Sequence, residues 1–418
     1  MTTEKDPMGH PPELIRKWRS WVRQALHSGA TTPFFLFAAD PIMDRLAELE
    51  ALDFGVTMTQ WLSCKTQPLP ALLQWWKHQR RPIEVVSEFE LRAAVREGFH
   101  TDSILINGPA KHRWLAQFAR NGQRVNFDSL HELRELLPLA RRQKWRTGLR
   151  LRTRGEVDGE DGSTPTQFGF EPHEGFTALR ILNGAGVPAE TLHFHLRTNV
   201  SSATIYQAAL DDVVQFCRSS GWSPRTLDCG GGLPPRFTRS RQGEVYDVEL
   251  SSRKGLREYS TALRKTVQQF PSIREVWLEN GRRVTAGSGV LVVKVLDKKI
   301  RDGVHQLICD GGRTLNSLVS YWEQHTLVSL KATRGKNLPT IAYGPTCMAF
   351  DQLGLCELPS TLKPGDYIVW MEAGAYHLPW ETRFSHGLSE VWWKENQRFT
   401  KVREAESFGE YWGLWKSK

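Results

Sequence analysis

The chain has 418 residues, 40% apolar and 24% charged, the balance of an ordinary globular protein with length enough for a large core and two domains. Its 55 basic and 46 acidic residues leave a net charge of +9, spread along the chain without a nucleic-acid-binding motif, so nucleic acid is not an expected partner. Six cysteines (Cys64, Cys217, Cys229, Cys309, Cys347, Cys356) lack Cys-x-x-Cys spacing, which indicates neither a disulfide framework nor a metal site. Met1 to Pro12 is too polar for a signal peptide, no apolar run is long enough to cross a bilayer, and the expected location is the cytoplasm.

An amphipathic helix is predicted from Pro12 to Ser28, with Leu14, Ile15, Trp18, Trp21, Val22 and Leu26 at helical spacing. Phe34 to Phe37 reads as a buried strand, and strand-like and helical runs alternate after it. Strands are expected at Val56 to Met58, Ile83 to Val86, Ser103 to Ile106 and Val125 to Phe127. The intervening helices are Leu69 to His78, Glu88 to Glu97, Lys111 to Arg120 and Leu130 to Gln143. Further strands fall at Gly148 to Leu151, Leu192 to His195, Thr226 to Asp228 and Glu275 to Leu278. Eight strand–helix units imply an α/β fold with a (β/α)8 barrel, an open doubly wound sheet being the alternative.

Beyond Arg282 the rhythm changes. Val290 to Leu296, Gln306 to Cys309 and Tyr367 to Trp370 are strands without regularly spaced helices, so a mostly β domain is expected. The implied division is a helical segment over 1–31 packed on the C-terminal domain, a barrel over 32–282 and a β domain over 283–418. Of 16 tryptophans, Trp370, Trp380, Trp392, Trp393, Trp412 and Trp415 crowd the C-terminal region, as buried core or subunit interface. Arg154 to Thr166, rich in Gly, Asp and Glu, reads as a loop.

Chemistry in a barrel gathers where strands end. Lys65, in Leu62-Ser63-Cys64-Lys65-Thr66, is placed there, and a partly desolvated lysine can form a Schiff base. His193-Phe194-His195 offers a ring face for stacking. The triplet Gly230-Gly231-Gly232 lets backbone N–H groups approach phosphate oxygens, and Leu278-Glu279-Asn280-Gly281-Arg282 adds a guanidinium and a carboxylate that can hold a ring nitrogen protonated. Together these suggest a site for a phosphorylated, nitrogen-containing aromatic cofactor.

Lys65, the Phe-His pair, the glycine triplet, Glu279 to Arg282, Gly344-Pro345-Thr346-Cys347 and Glu372-Ala373-Gly374-Ala375-Tyr376 occur in an order that resembles the fold-type III pyridoxal-phosphate decarboxylases, the diaminopimelate, ornithine and arginine decarboxylase group. Val85 to Leu91, Asn107 to Lys111, Val125 to Ser129 and Gly148 to Arg150 match as well, and the resemblance spans about Pro33 to Gly387. It implies pyridoxal 5'-phosphate as cofactor and amino-acid decarboxylation through an external aldimine and a quinonoid carbanion. Lys65 would carry the cofactor, His195 would stack on its ring, and Glu279 would pair with the ring nitrogen. Gly230, Gly231, Gly232, Thr198, Gly281, Arg282 and Tyr376 would hold the phosphate end. Cys347 would reach the site of the other subunit in a homodimer and protonate the carbanion.

The departures bear on substrate. Asn280 stands where the family has proline, a change expected to affect only turn rigidity, and Arg197-Thr198 replaces Gly-Ser. Met348 follows Cys347 where members that bind a distal amine carry an acid, so a simple diamino acid is not the expected substrate. Asp351 could rescue part of that function, and Arg313, Arg197 and Arg383 are candidates to grip a carboxylate. The substrate is free or tethered to an acidic carrier. A racemase, disfavoured by Glu279, and a catalytically silent binding homologue are the alternatives.

Overall fold

The computed structural model describes residues 9–155, 157–158, 164–237, 239–240, 249–317, 319, 323–332 and 336–416. Parts of the expected 154–166 loop fall outside them. Two compact units result: Arg45–Pro234 with Asp247–Arg283, and Met1–Asp44 with Pro235–Tyr246 and Val284–Lys418.

The first unit is the barrel. Strands Thr57–Gln60 and Leu62–Ser63 are halves of one extended stretch interrupted at Trp61. The first half pairs in parallel with Glu275–Leu278 and the second with Ile83–Val85. That double pairing closes the sheet. From Ile83–Val85 the order continues through Ile104–Ile106, Arg124–Phe127, Arg146–Arg150, Ala189–His193 and Thr226–Asp228 to Glu275–Leu278. Nine assigned strands are therefore eight staves, all parallel, as the alternating pattern predicts. Trp61, Leu105 and Trp277 pack as one buried cluster.

Local chemistry sets where each helix begins. Ser87 Oγ accepts from Glu90 N (3.3 Å) at the start of Glu88–Arg96, and Ser129 Oγ accepts from Glu132 N (3.3 Å) before Leu130–Arg142. Proline at the first turn opens Pro70–His78 and Pro172–Gly184. The helix expected from Lys111 to Arg120 does not form. Ala110 takes a left-handed φ of 57°, and two short 3-10 turns, Lys111–Arg113 and Leu115–Phe118, follow. The cause is a buried ion pair: Lys111 Nζ lies 2.7 Å from Glu132 Oε1, with both side chains fully buried, and Glu132 Oε2 also accepts from Lys111 N at 2.8 Å.

The second unit is mostly β. Its sheet runs Gln352–Pro359, Asn337–Tyr343, Val304–Cys309, Gly289–Arg301, Phe34–Ala38, Glu390–Glu395, Arg398–Arg403, with Tyr367–Trp370 also paired to Gly289–Arg301 and Leu327–Ser329 paired in turn to Tyr367–Trp370. Phe34–Ala38 is thus not a barrel strand. It lies antiparallel to Gly289–Arg301 (Phe35 opposite Leu291) and parallel to Glu390–Glu395 (Phe35 opposite Val391). All five of its residues are buried, which a short apolar run alone cannot assign to one sheet or another. Helix Pro12–His27 lays Ile15, Trp18, Trp21, Val22 and Ala25 on this sheet against Leu36, Val290, Val292 and Met371. Arg19 Nε donates to the Ser329 carbonyl at 2.8 Å. Trp370, Trp392 and Trp393 are buried, whereas Trp412 and Trp415 are exposed. No helix among the described residues is long and apolar enough to cross a membrane.

Candidate active site

Six chemistry-bearing residues of the barrel unit sit at or just past the carboxyl end of a stave. Lys65 follows Leu62–Ser63 and Asn107 follows Ile104–Ile106, while Arg150 and His193 end their strands. Asp228 ends Thr226–Asp228, and Glu279 follows Glu275–Leu278. Parallel strands around a closed barrel must converge their ends, so residues far apart in sequence meet.

Lys65 is part-exposed, with Nζ 3.3 Å from Glu84 Oε2, and Ser63 Oγ donates to that same oxygen at 2.6 Å. Glu84 is buried and was not singled out by the sequence, although its position near a strand end is the signal that could have found it. Beside it, burial and the Glu84 charge push the Glu90 carboxyl up to about 7.

The glycine triplet is shaped by contacts that exclude a side chain. A Cβ at Gly230 would lie 2.7 Å from His195 Nδ1, one at Gly231 2.7 Å from the Glu279 carbonyl oxygen, and one at Gly232 2.6 Å from the Arg197 carbonyl oxygen. Gly230 and Gly232 also hold φ of 58° and 112°, where glycine is at ease. Gly281 is tighter still, its Cβ position 2.0 Å from Thr66 Oγ1. His195 Nδ1 accepts from Gly231 N at 3.0 Å, which assigns the ring proton to Nε2. Burial, with Arg150 and Lys65 nearby, holds His195 well below its usual range, so it is neutral. Arg282 Nε donates to Thr198 Oγ1 at 3.0 Å, bringing the two expected phosphate ligands together. Asn280 does more than loosen a turn: its Oδ1 accepts from Leu233 N at 3.1 Å and ties the strand-end loop to the glycine loop.

Glu279 is buried and accepts from Asn107 Nδ2 at 2.6 Å. Burial, then the charge of Asp228, pushes its carboxyl well above the usual range. His193 Nε2 stands 4.0 Å from Glu279 Oε2, and burial keeps that ring neutral. Asn107, Asn126, Asp228 and His193 were not assigned site roles from sequence. Asparagine and aspartate at strand ends carry no distinctive pattern on their own.

The remaining candidates belong to the β unit. Cys347 is exposed and Met348 half-buried. Asp351 is buried, accepting from Arg313 N (2.6 Å), Thr346 Oγ1 (2.6 Å) and Thr346 N (3.2 Å). Its carboxylate therefore joins the Gly312–Arg313 turn to the Cys347 loop and is committed there. Arg313 stacks its guanidinium 5.7 Å from the centre of the Phe350 ring. Arg383 Nε is bound by both oxygens of Glu406, at 2.8 and 3.1 Å, and so is tied to that carboxylate. Arg197 makes no ion pair among the described residues. Tyr376 holds a left-handed φ of 67°, rare for an aromatic residue, and stacks on Trp380 at 5.1 Å.

A side-chain-free glycine cradle next to a threonine–arginine pair, a reactive amine on another stave and a buried carboxyl group fit a pyridine ring bearing a phosphate. Comparison with known proteins agrees. Residues 48–286 match the family model described as pyridoxal-dependent decarboxylase, pyridoxal binding domain. The chain is 26% identical to a diaminopimelate decarboxylase of Actinosynnema pretiosum subsp. auranticum, over 75% of this chain and 72% of that one. It is 25% identical to a probable chloroplastic diaminopimelate decarboxylase of Oryza sativa subsp. japonica, over 93% and 81%. Among solved structures, diaminopimelate decarboxylase from M. jannaschii superposes with a TM-score of 0.80 at 17% identity, covering 95% of this chain and 94% of that one. The arginine decarboxylase of Paramecium bursaria Chlorella virus gives 0.72 at 20% identity, covering 90% and 100%. The chain belongs to the pyridoxal-dependent decarboxylase family, and pyridoxal phosphate is its cofactor.

Proposed function

We propose that this enzyme decarboxylates an amino acid lacking a distal ammonium group, with Lys65 presenting the amine that meets the cofactor's aldehyde carbon. The observation that carries the reading is the convergence of Lys65, the Gly230–Gly232 cradle, the Thr198–Arg282 pair and Glu279 at the ends of different staves. The side-chain-free glycine cradle leaves room for the phosphate, and Thr198 and Arg282 bind it, with Gly281 beside them. His195, neutral and fixed through Nδ1, lays its ring against the cofactor. Glu279 holds a proton at the ring nitrogen. Pyridoxal phosphate, when bound, supplies the electron sink for the pair left on Cα as carbon dioxide departs. Cys347 of a second copy then delivers a proton from Sγ to Cα, so a homodimer is the active form.

Two observations support the substrate class. Met348 offers no charge to an ammonium group, and Asp351 is already bonded to its own loops. Arg197 is the residue best placed by chemistry to meet a second anionic group, on a free substrate or one carried by an acidic protein. Solved relatives were captured with L-lysine, the Helicobacter pylori diaminopimelate decarboxylase among them, which makes lysine-forming substrates the necessary controls.

The test is borohydride reduction of the loaded protein with peptide mapping, followed by carbon dioxide release from a panel of amino acids. A pyridoxyl group on Lys65, with release from apolar or acidic amino acids above that from meso-diaminopimelate, ornithine and arginine, is the expected outcome. Preference for a diamino acid would overturn the substrate assignment, and an adduct elsewhere would overturn that of Lys65.

A further inference from the structure

Asp228 ends one stave and Glu279 stands just past the end of the next. Single atoms of His193, Asp228 and Glu279 all lie within 4.8 Å of one another, and all three side chains are buried. The surrounding donors form a chain. Asn107 Nδ2 donates to Glu279 Oε1 at 2.6 Å. Asn126 Nδ2 donates both to Asn107 Oδ1 at 3.0 Å and to Asp228 Oδ2 at 3.2 Å, and Gly230 N donates to Asp228 Oδ1 at 3.1 Å. These bonds hold the two carboxyl groups side by side, so the contact between them is acceptor against acceptor unless one of them carries a hydrogen. Two like charges this close in a buried site cannot both persist.

We propose that Asp228 and Glu279 hold a single proton in common, and that Asp228 is a positioning residue keeping that proton available to Glu279 beside the cofactor's ring nitrogen. The inference rests on the reading of Glu279 given above. Its proton balance is closed: the shared proton passes from the pair to the ring nitrogen on loading, leaving both carboxylates ionised beside a cationic ring. No proton has to be drawn from solvent into a buried site. Burial pushes the Asp228 carboxyl up to about 7, consistent with a proton held at neutral pH. Other charged groups acting on the pair are Glu84 and Lys65, the pair in turn acts on Cys229 in the next position, and Arg150 and His195 act on His193.

The experiment is infrared difference spectroscopy of the unloaded protein at pH 7, in which a protonated carboxyl is identified by its shift in heavy water. All proteins carry Glu90→Gln, because the Glu90 carboxyl is also raised to about 7 and would add a band of its own. The expected result is one buried protonated-carboxyl band, lost in Asp228→Asn and lost equally in Glu279→Gln, and discharged when pyridoxal phosphate is added to the parent. A band that survives either substitution would place the proton on one residue alone and overturn the pair. Stoichiometric zinc uptake by the unloaded parent, abolished by Asp228→Asn, would also overturn it, since the same three atoms would then be metal ligands. Should Asp228→Asn fail to fold, Asp228→Glu decides: a band moved in frequency by that change, although Glu279 is untouched, supports the pair, and an unmoved band, or none in the parent at pH 7, refutes it. Because a pyridoxyl group on Lys65 is scored separately, failure here leaves the decarboxylase reading standing.

Discussion

Replacing Asp351 with alanine removes the acceptor for three donors at once: Arg313 N at 2.6 Å, Thr346 Oγ1 at 2.6 Å and Thr346 N at 3.2 Å. Hydrogen bonds to a charged group are worth roughly 1.5–3 kcal/mol each, and a buried donor left alone costs about 1–3 kcal/mol. The Thr346 hydroxyl can turn elsewhere, so the two backbone N–H groups set the magnitude, and a loss of about 3–5 kcal/mol is expected. Asparagine keeps one oxygen in place and should cost about 1–2 kcal/mol. No other residue restores the fit easily, because Gly312 and Gly344 close on the carboxylate so tightly that a Cβ on either would come within 2.2 and 2.3 Å of its oxygens. Urea unfolding followed by tryptophan emission measures the stability, and carbon dioxide release across the amino-acid panel measures the rest. The expected result for Asp351→Asn is lower stability and a lower kcat through a loosened Cys347 loop, with the order of substrates unchanged. Unaltered stability combined with a reordered substrate preference would refute this reasoning and return Asp351 to the substrate.

Three further perturbations test other parts of the structure. Gly231→Ala should weaken pyridoxal phosphate binding at least tenfold by equilibrium titration, about 1.4 kcal/mol, because the new Cβ would meet the Glu279 carbonyl oxygen at 2.7 Å; Gly184→Ala, with nothing within 4 Å, should leave binding unchanged. Lys111→Met should cost about 3–5 kcal/mol by leaving the Glu132 carboxylate buried and alone, and pairing it with Glu132→Gln should recover part of that in urea unfolding. Glu90 holds its proton more tightly folded than unfolded, so its stabilising effect is full below about pH 4.5 and is lost as pH rises through about 7. Glu90→Gln cannot ionise and should gain on the parent by about 3 kcal/mol between those pH values, whereas parallel stability–pH curves would contradict it.

The barrel is legible in the sequence because several strands are short apolar runs followed closely by a helix with a marked start, as at Ser87 and Ser129. Phe34–Ala38 misleads because it too is a short apolar run, and only its distant partners decide its sheet. Lys111 to Arg120 misleads differently, since a buried cation overrides a good local helix pattern. At the site, Lys65, the glycine triplet and Arg282 are visible because few residue types can do their chemistry. Glu84, Asn107, Asn126 and Asp228 are not, because their importance lies in neighbours 19 to 172 residues away. Asp351 and Arg383 illustrate the reverse, charged residues whose partners are already supplied within the β unit.

The strand Phe34–Ala38 also governs the order of assembly. It lies between Gly289–Arg301 and Glu390–Glu395, so its sheet cannot be completed until nearly the whole chain has left the ribosome. The staves of the barrel, by contrast, mostly find partners among strands close in sequence, and long-range pairing is the slower process. During synthesis the N-terminal strand therefore waits as an unpaired apolar segment while the barrel between it and its partners matures. Chains stalled or cleaved before Glu390–Glu395 would keep an open seam beside Phe34–Ala38, an edge that invites pairing with other chains.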